Sequence, residues 1–323
     1  MTDPTLHRVI VIGGAGFIGS HVVDRLLADP STEQVTVYDN FTSGRDWHLA
    51  HHAGDTRLSV ARADVKDLDA LTGAMAGHGL VVHLASNPDI AAAMTDPAID
   101  FHEGTALTHN VVEAMRMSGA ARILYASGSG LYGDLGATKV PEDHAPMEPI
   151  STYGASKMAG EALISSYVHM FGITGCVFRF ANVVGPRQTH GVGYDFVRRL
   201  MADGSRLTIL GDGQQTKSYI HVTDVIDAVM TAHARETAPF RAFNVATEDA
   251  ITVIEIGRLA CAVVGLDPDA VRFDFTGGDR GWKGDVPVVR FNTEKIHSLG
   301  WRCQRNSREA MQAALEAMAE ELQ

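Results

Sequence analysis

The stretch VIVIGGAGFIGS, residues 9–20, decides the fold of this chain. A short apolar run, typical of a buried β-strand, leads into Gly13, Gly16 and Gly19, and an amphipathic run follows. Glycines at this spacing allow a tight turn and a close approach of the backbone to a ligand. The following helix would point its N–H groups and partial positive charge at an anion. The stretch therefore predicts a strand, loop and helix that bind the pyrophosphate of a dinucleotide.

The same alternation of short apolar runs and amphipathic runs continues along the first half of the chain. Runs rich in β-branched residues predict strands at 8–13, 34–39, 57–62, 80–85, 121–127 and 176–182. Helical patterns lie between them at 17–28, 67–76, 95–118 and 153–171. Alternation of this kind is typical of a parallel sheet with helices on both faces. We therefore expect an α/β fold with a Rossmann-type, doubly wound parallel sheet.

The composition of the sequence changes after Asn182, where loops rich in Gly, Lys, Arg and His begin. We expect residues 1–182 to form the dinucleotide-binding Rossmann domain, with a returning segment near 216–262. Residues 183–215 and 263–323 would form a smaller C-terminal domain. Its basic and glycine-rich loops are suited to a phosphorylated substrate.

Composition narrows the class of partner. The 323 residues carry a net charge of −12, so the surface is a poor match for the phosphates of a nucleic acid. No apolar run is long enough to cross a bilayer, and we expect no membrane partner. The N-terminus is polar, without a basic region or cleavage pattern, which indicates a cytoplasmic protein.

Cysteine and histidine spacing gives no sign of a metal site. Cys176, Cys261 and Cys303 are far apart and fit neither a disulfide framework nor a zinc pattern. The densest histidine group is HLAHH, residues 48–52, in a stretch with the character of a surface segment. We predict a solvated loop there and no metal.

Two acidic residues follow predicted strands where a dinucleotide is held. Asp39 closes the second strand, 20 residues after Gly19. A carboxylate at that place accepts hydrogen bonds from the adenosine ribose and repels a 2′-phosphate, which favours NAD over NADP. Arg45 is the one nearby cation that argues the other way. Asp64 follows the third strand, where it would bind the adenine amino group, cap a helix, or do both.

Tyr153 and Lys157 lie four residues apart on a predicted helix and therefore share one face. We expect the ammonium to favour the phenolate and lower the pKa of Tyr153. Such a tyrosine can exchange a proton with a substrate hydroxyl while hydride moves to or from a nicotinamide.

Five stretches together carry a resemblance to a known family: GGAGFIGSHVVDRLL (13–27), YGASKMAGE (153–161), FRFANVVGPRQTHG (178–191), KSYIHVTDV (217–225) and GDRGWKGDVP (278–287). The chain resembles the extended short-chain dehydrogenases/reductases over nearly its whole length. It is most similar to the NAD-dependent nucleotide-sugar epimerases of the UDP-glucose 4-epimerase type.

The resemblance implies a role for each matching residue. Tyr153 would be the general acid and base, and Lys157 its electrostatic partner. The residues implied in NAD binding are Gly13, Gly16, Phe17, Ile18, Gly19, Asp39, Asn40, Asp64, Val65, Leu84, Ala85, Ser127, Tyr153, Lys157 and Phe180. Those implied in binding the nucleotide sugar are Asn182, Arg187, Lys217, Arg280, Lys283 and Asp285. The resemblance also implies a homodimer, built through the helices near 95–118 and 153–171.

The chain departs from its relatives at two positions. Relatives carry a catalytic Ser or Thr four residues before the tyrosine matched by Tyr132, and here that position is Gly128. We expect Ser129 to supply the hydroxyl, with Thr105 or a water as alternatives. Relatives usually carry Asn near position 104, where this chain has Gly104.

The sequence and the resemblance leave three candidate functions. The first is C4 epimerisation of a UDP-hexose, either UDP-glucose/UDP-galactose or an N-acetylated analogue, through a transient 4-keto intermediate. The second is a nucleotide-sugar 4,6-dehydratase, but those relatives place Asp-Glu where this chain has Ser129 and Gly130. The third is a dinucleotide-binding sensor or scaffold, which Gly128 favours and the retained Tyr153 and Lys157 oppose.

Overall fold

The computed structural model of the chain describes residues 4–278, 286 and 288–323. In chain order its strands are β1 (Arg8–Ile12), β2 (Gln34–Asp39), β3 (Leu58–Arg62), β4 (Leu80–His83), β5 (Arg122–Gly128), β6 (Lys139–Val140), β7 (Thr174–Phe180), β8 (Asn182–Val184), β9 (Arg206–Ile209), β10 (Thr216–Lys217), β11 (Tyr219–His221), β12 (Phe240–Val245), β13 (Ile251–Thr252), β14 (Arg272–Phe275) and β15 (Arg290–Phe291). Its α-helices are α1 (Phe17–Leu27), α2 (Leu68–Met75), α3 (Ala106–Ser118), α4 (Thr152–Phe171), α5 (Val192–Ala202), α6 (Val222–Arg235), α7 (Val253–Val263), α8 (Glu294–Ser298) and α9 (Ser307–Glu321).

A seven-stranded sheet in the order β12-β7-β5-β4-β1-β2-β3 forms the centre of the fold. β1 pairs in parallel with both β2 and β4, so the strand order reverses at β1. In open α/β sheets, ligands bind beyond the carboxyl ends of the strands at such a reversal. The predicted Rossmann-type α/β fold is therefore confirmed, and the loop after β1 lies where a dinucleotide binds.

The chain divides into two compact units. Unit 1 comprises Met1–Leu131, Thr152–Arg179 and Val229–Phe243, and unit 2 comprises Tyr132–Ser151, Phe180–Ala228 and Asn244–Gln323. The sequence-derived boundaries differ from these units mainly at 132–151, 216–228 and 244–262, which all lie in unit 2. The assignment of the cofactor and the sugar nucleotide to separate domains stays a prediction.

Each unit has an apolar core of its own. In unit 1 the alternating strand residues Ile10, Ile12, Val81 and Ile123 are fully buried with residues of α2 and α3. In unit 2 the buried faces of α5, α7 and α9 pack together with β9. Each large aliphatic side chain buried in this way contributes about 1.5–3 kcal/mol. This burial provides the rigid support that holds the loops at the strand ends.

The predicted helix over 95–118 begins later than its pattern indicates. α3 starts at Ala106, after a single π-helical turn at Phe101–Thr105. The residue before a proline is disfavoured in helical conformation, so Pro97 keeps Asp96 out of the helix. Asp96 instead accepts a hydrogen bond from the backbone N–H of Ala98. Within the described residues, no helix has both the length and the apolar character that a membrane span requires.

Candidate active site

The loop between β1 and α1 is shaped by glycines that no other residue could replace without movement. Gly13 has a positive φ of 81°, and a Cβ there would lie 2.8 Å from the backbone nitrogen of Ala85. A Cβ on Gly19 would lie 2.2 Å from the carbonyl oxygen of Gly13. Gly16 precedes α1 without a side-chain cap. The loop thus offers a backbone cradle, which fits a pyrophosphate as predicted.

Asp39 is buried at the end of β2 and holds the glycine loop in place. Its Oδ2 accepts a hydrogen bond of 2.9 Å from the N–H of Ala15, and its Oδ1 accepts one of 2.7 Å from Phe41. The Arg45 guanidinium donates to the neighbouring carbonyl of Gly44. The carboxylate keeps lone pairs for ribose hydroxyls, consistent with NAD rather than NADP.

Asp64 is positioned as predicted, but it does not cap a helix. Its carboxylate accepts hydrogen bonds from the Lys66 N–H and the Asn40 amide. Burial works against ionisation, yet these hydrogen bonds outweigh it and lower the pKa of Asp64. The N-cap of α2 is Asp67, which accepts from the Ala70 N–H, so the capping alternative for Asp64 is wrong. Val65 is buried beside it.

The remaining predicted cofactor residues of the sheet edge lie near the loop or at a strand end. Phe17 and Ile18 form the first turn of α1. The N–H groups of Leu84 and Ala85 both donate to the carbonyl of Ile12, and this brings the chain after β4 against the end of β1. Phe180 is the buried last residue of β7.

Lys157 is buried in the second turn of α4 and points toward β5. Its ammonium donates a 2.8 Å hydrogen bond to the carbonyl of Ala126. It lies 5.4 Å from the ring centroid of Tyr153 and 5.2 Å from that of Tyr125. Burial lowers the pKa of Lys157 to about 8, although the nearby carboxylates of Asp100 and Glu161 raise it. The pair predicted from the spacing is therefore brought together.

The predicted direction of the Tyr153 pKa is wrong for the chain as the structure describes it. Burial raises the pKa of Tyr153 to about 12; a hydrogen bond from Ser86 lowers it and the Asp100 carboxylate raises it. The Lys157 ammonium is turned to the Ala126 carbonyl, so it does not offset the loss of solvent around the phenol. At neutral pH Tyr153 is therefore a neutral phenol and a proton donor.

The hydroxyl groups around Gly128 are arranged differently from the prediction. Ser127 donates a 2.6 Å hydrogen bond to Glu161, whose carboxylate also pairs with Arg179 at 2.7 Å. Ser129 opens a short 3-10 turn, Ser129–Tyr132, and is half-buried. The hydroxyl that acts on the Tyr153 phenol and lowers its pKa is that of Ser86. A catalytic role for Ser129 stays a prediction.

Sequence reasoning missed four residues beside Tyr153: Ser86, Asn87, Asp100 and Thr152. Asn87 donates to Asp100 at 2.9 Å, and Thr152 donates to the other oxygen of the same carboxylate at 2.6 Å. The available signal was the polar pair Ser86 and Asn87 directly after an apolar strand, where polar residues of a parallel sheet meet a ligand.

Gly104, the second departure, is explained by packing within unit 1. It lies in the π-helical turn, and a Cβ there would approach the Ser156 hydroxyl oxygen to 2.8 Å. Ser156 therefore fills the space that a side chain at position 104 would need. Thr105 is half-buried in the same turn, and its suggested polar contact stays a prediction.

Three predicted substrate residues lie in unit 2. Asn182 is exposed and its amide donates to the carbonyl of Ser218, which follows Lys217. The parallel register pairs Asn182 with Tyr219, and Lys217 lies two residues before Tyr219 in the chain. Arg187 has a positive φ of 65°, and its backbone N–H donates to the Glu321 carboxylate. The predicted substrate residues Arg280, Lys283 and Asp285 lie outside the described residues.

A small histidine cluster meets the spacing of metal ligands but has hydrogen-bond geometry. His51 Nε2 and His52 Nε2 lie 2.8 Å and 2.7 Å from the same oxygen of Asp24. Ligand atoms around a tetrahedral zinc are about 3.3 Å apart, given bonds of about 2.0–2.1 Å. Hydrogen bonds from the two imidazoles to Asp24 account for the contacts, and the expectation of no metal stays a prediction. The solvated loop predicted for residues 48–52 is wrong, because His48 is buried and residues 50–52 form a 3-10 turn.

Comparison with known proteins gives a consistent family. Residues 9–246 match the model of the NAD dependent epimerase/dehydratase family. The chain is 34% identical over 305 residues to a UDP-glucose 4-epimerase of Mycolicibacterium smegmatis, covering 92% of this chain and 94% of that protein. It is 33% identical over 291 residues to a dTDP-glucose 4,6-dehydratase of an Actinoplanes species, covering 87% and 90%. A crystal structure of a UDP-galactose 4-epimerase is 36% identical, with a TM-score of 0.85 over 98% of this chain and 100% of that one.

Proposed function

The chain belongs to the NAD-dependent epimerase/dehydratase family, and we propose that it is an enzyme that interconverts UDP-sugars differing in configuration at C4. The observation that carries this proposal is the Tyr153–Lys157 pair, held on α4 beside the end of β5 with no acid pair next to it. The lead substrates are UDP-glucose and UDP-galactose, or their N-acetylated analogues.

The residues of unit 1 fit NAD as the cofactor of the family. Gly13 and Gly19 form a cradle that any Cβ would fill, and Asp39 lies at the end of β2 to receive a ribose. When bound, NAD accepts a hydride from the sugar and gives it back, which makes the overall reaction redox-neutral. The protein supplies binding, orientation and proton transfer.

Tyr153 and Lys157 divide the proton chemistry between them. Tyr153 is a neutral phenol in the NAD-free chain, so it must lose its proton to solvent before its phenolate can take one from a sugar hydroxyl. The phenol formed in that step can then return the proton to the ketone oxygen. With a pKa of about 8, Lys157 is mostly charged at pH 7. Its ammonium is fixed by the Ala126 carbonyl and stabilises negative charge that forms nearby.

Residues 129 and 130 argue against dehydration. The dehydratase relative is nearly as similar in sequence as the epimerase relative, so identity alone does not choose between the two reactions. Dehydration needs groups that remove the C5 proton and protonate the departing C6 hydroxyl. This chain has Ser129 and Gly130 where an Asp-Glu pair would perform those steps. C4 epimerisation needs neither acid.

Polar side chains of unit 2 support a nucleotide diphosphate as the activating group. Lys217 and Arg187 provide cationic side chains, and the exposed Asn182 adds an amide donor. Cations and amide donors together suit the two phosphates of a UDP-sugar. The net charge of −12 supports the view that no nucleic acid is bound, and the cytoplasmic location stays a prediction.

A homodimer through α3 and α4 is part of the proposal. Both helices expose large apolar side chains near their C-terminal ends: Met117 is 49% exposed, Met170 71% and Phe171 45%. Apolar surface of this kind is stabilised when a second copy covers it. Sedimentation of the chain at several concentrations should show a dimer, and replacing Met170 by Lys should shift it to monomer.

Turnover of a sugar panel tests the proposed reaction. Purified chain with bound NAD is incubated with UDP-, GDP- and dTDP-sugars, and products are separated by chromatography. We expect a C4 epimer from a UDP-sugar, and near-complete loss of turnover in Tyr153→Phe because the phenol proton is gone. The matched control is Tyr167→Phe, which removes another tyrosine hydroxyl of α4, one that donates a hydrogen bond to Glu113 of α3. A 4-keto-6-deoxy product, or bound NAD with no turnover of any sugar, would refute the proposal.

A further inference from the structure

Position 128 at the end of β5 is a glycine, so it offers Tyr153 no hydroxyl, although a Cβ there would have room. A Cβ on Gly128 would lie 3.8 Å from Tyr153 Cε1, an ordinary contact distance. The neighbouring Ser127 is committed elsewhere, since its hydroxyl donates to Glu161 and that carboxylate also binds Arg179. A proton relay to Tyr153 therefore needs a group from outside β5.

A hydroxyl reaches Tyr153 from the next strand. Ser86 follows β4 by three residues and is half-buried, and its hydroxyl lies near enough to the Tyr153 phenol to lower the pKa of that phenol. β4 and β5 are adjacent and parallel, so their carboxyl ends meet at one edge of the sheet. A side chain just beyond β4 can therefore occupy the place left open at the end of β5.

The contact between Ser86 and Tyr153 is fixed by their sequence neighbours. Asn87, which is 3% exposed, donates to one oxygen of Asp100 at 2.9 Å. Thr152 donates to the other oxygen of that carboxylate at 2.6 Å. Asp100 is itself buried, so both bonds are shielded from water. One carboxylate thus binds the residue after Ser86 and the residue before Tyr153, which holds the two hydroxyls in place.

We propose that Ser86 supplies the hydroxyl partner of Tyr153 and relays a proton between that phenol and the sugar hydroxyl, in place of a side chain at position 128. This inference rests on the proposed epimerase function. It assigns to the segment after β4 a part in proton transfer, in addition to the cofactor contacts expected of Leu84 and Ala85.

The relay moves one proton from the sugar oxygen to the Tyr153 oxygen, and the serine gains one proton and gives one up. Oxidation starts once the Tyr153 phenol has lost its proton to solvent. The sugar O–H bond then breaks as its proton passes to Ser86 Oγ, while the serine's own proton passes to the phenolate oxygen. The C4 hydrogen would leave with its electron pair to the nicotinamide of bound NAD, so the sugar is oxidised and NAD is reduced. The serine ends neutral and the tyrosine ends as a phenol. In the return direction the two transfers run backward and protonate the ketone oxygen. Lys157, hydrogen-bonded to Ala126, remains an ammonium throughout.

Ser86→Ala tests the relay in the holoenzyme. We expect kcat to fall by about 10²-fold, within the range for general acid–base assistance, with KM and NAD affinity essentially unchanged. Ser86→Thr keeps a hydroxyl and should retain most of the activity. Ser298→Ala, which removes an exposed hydroxyl bonded to the Lys295 carbonyl, should leave kcat unchanged.

Placing a hydroxyl at position 128 distinguishes a chemical role of Ser86 from a structural one. A Cβ at position 128 would make only an ordinary contact with Tyr153, and Gly128→Ser in the Ser86→Ala background should recover much of the lost kcat. A merely structural role of Ser86 would not be rescued from a different strand. The kcat profile of Ser86→Ala should also move to higher pH on its acidic side, because the hydrogen bond that favours the phenolate is lost.

A measurement without substrate keeps this inference separate from the proposed function. Tyrosine labelled with ¹³C at Cζ reports each phenol by NMR, and Tyr153→Phe identifies the resonance of Tyr153 among the seven tyrosines. In Ser86→Ala this resonance should titrate at higher pH than in the parent chain. If the parent chain fails to epimerise any sugar, the proposed function fails, whatever this titration shows.

Two results would overturn the relay. One is an unchanged kcat together with an unchanged Tyr153 titration in Ser86→Ala. The other is weaker NAD binding with kcat unchanged at saturating NAD, which would make Ser86 a cofactor ligand. In either case Gly128→Ser would bring no rescue, because no hydroxyl function would have been lost.

Discussion

Replacing Lys157 by Met should stabilise the fold while it removes activity. Lys157 is 3% exposed, and burial lowers its pKa from 10.5 to about 8. Holding the buried ammonium therefore costs about 3 kcal/mol at pH 7, at about 1.4 kcal/mol for each pKa unit. The hydrogen bond to the Ala126 carbonyl returns about 1 kcal/mol. We expect Lys157→Met to raise the free energy of unfolding by about 2 kcal/mol.

The pH dependence of this difference has a definite sign. The cost of the charge is fully present below the folded-state pKa of about 8 and disappears as pH rises toward the unfolded value of 10.5. The parent chain should therefore gain about 2 kcal/mol between pH 7 and pH 9.5 relative to the variant. The stability gap between the two chains should nearly close over that interval.

Urea unfolding of the NAD-free chains at pH 7 and pH 9.5 checks this prediction. Lys139→Met removes an exposed lysine and serves as the control, with little effect expected at either pH. A variant less stable than the parent at pH 7, or a gap that does not change with pH, would refute the account of Lys157. It would mean that the neighbouring carboxylates fully compensate the burial of the ammonium.

Two further predictions concern the cofactor loop and the buried ion pair. Gly19→Ala places a Cβ 2.2 Å from the Gly13 carbonyl oxygen, so NAD affinity in a fluorescence titration should fall at least tenfold. The control is Gly54→Ala, whose Cβ has nothing within 4 Å and which should bind NAD normally. Equal affinities of the two variants would contradict the role of the glycine loop as a cradle. Arg179→Met leaves the Glu161 carboxylate without its cation and should cost about 3–5 kcal/mol in urea unfolding. Adding Glu161→Gln should recover part of that loss, and a larger loss in the double variant would show that the pair is not the source.

The sequence predicts the sheet well because its signals are local. Short β-branched runs bounded by Gly, Asp or Ser place the six predicted strands within two residues of the observed ones. The start of the helix near 95 is misplaced because Pro97 and the turn at Asp96 override the apolar pattern. The seventh strand of the sheet, Phe240–Val245, is not among the six predicted strands, because it returns to the sheet edge only after a long intervening segment.

The candidate site also has features that local sequence patterns predict and features that only the folded structure shows. Spacing alone brings Tyr153 and Lys157 onto one helix face, and the glycine pattern marks the loop. Spacing does not reveal that Lys157 turns to Ala126, nor how much solvent Tyr153 loses, so the predicted pKa direction was wrong. The contact between Ser86 and Tyr153 joins residues 67 positions apart, and only the folded sheet brings them together.

The most direct test of the central claim follows the hydrogen at C4 of the sugar. UDP-glucose labelled with deuterium at C4 is incubated with the NAD-bound chain, and the products are examined by mass spectrometry and NMR. We predict UDP-galactose that retains the deuterium at C4, and the same final mixture when the reaction starts from labelled UDP-galactose. Loss of the label to solvent, a 4-keto-6-deoxy product, or no interconversion from either side would contradict the assignment.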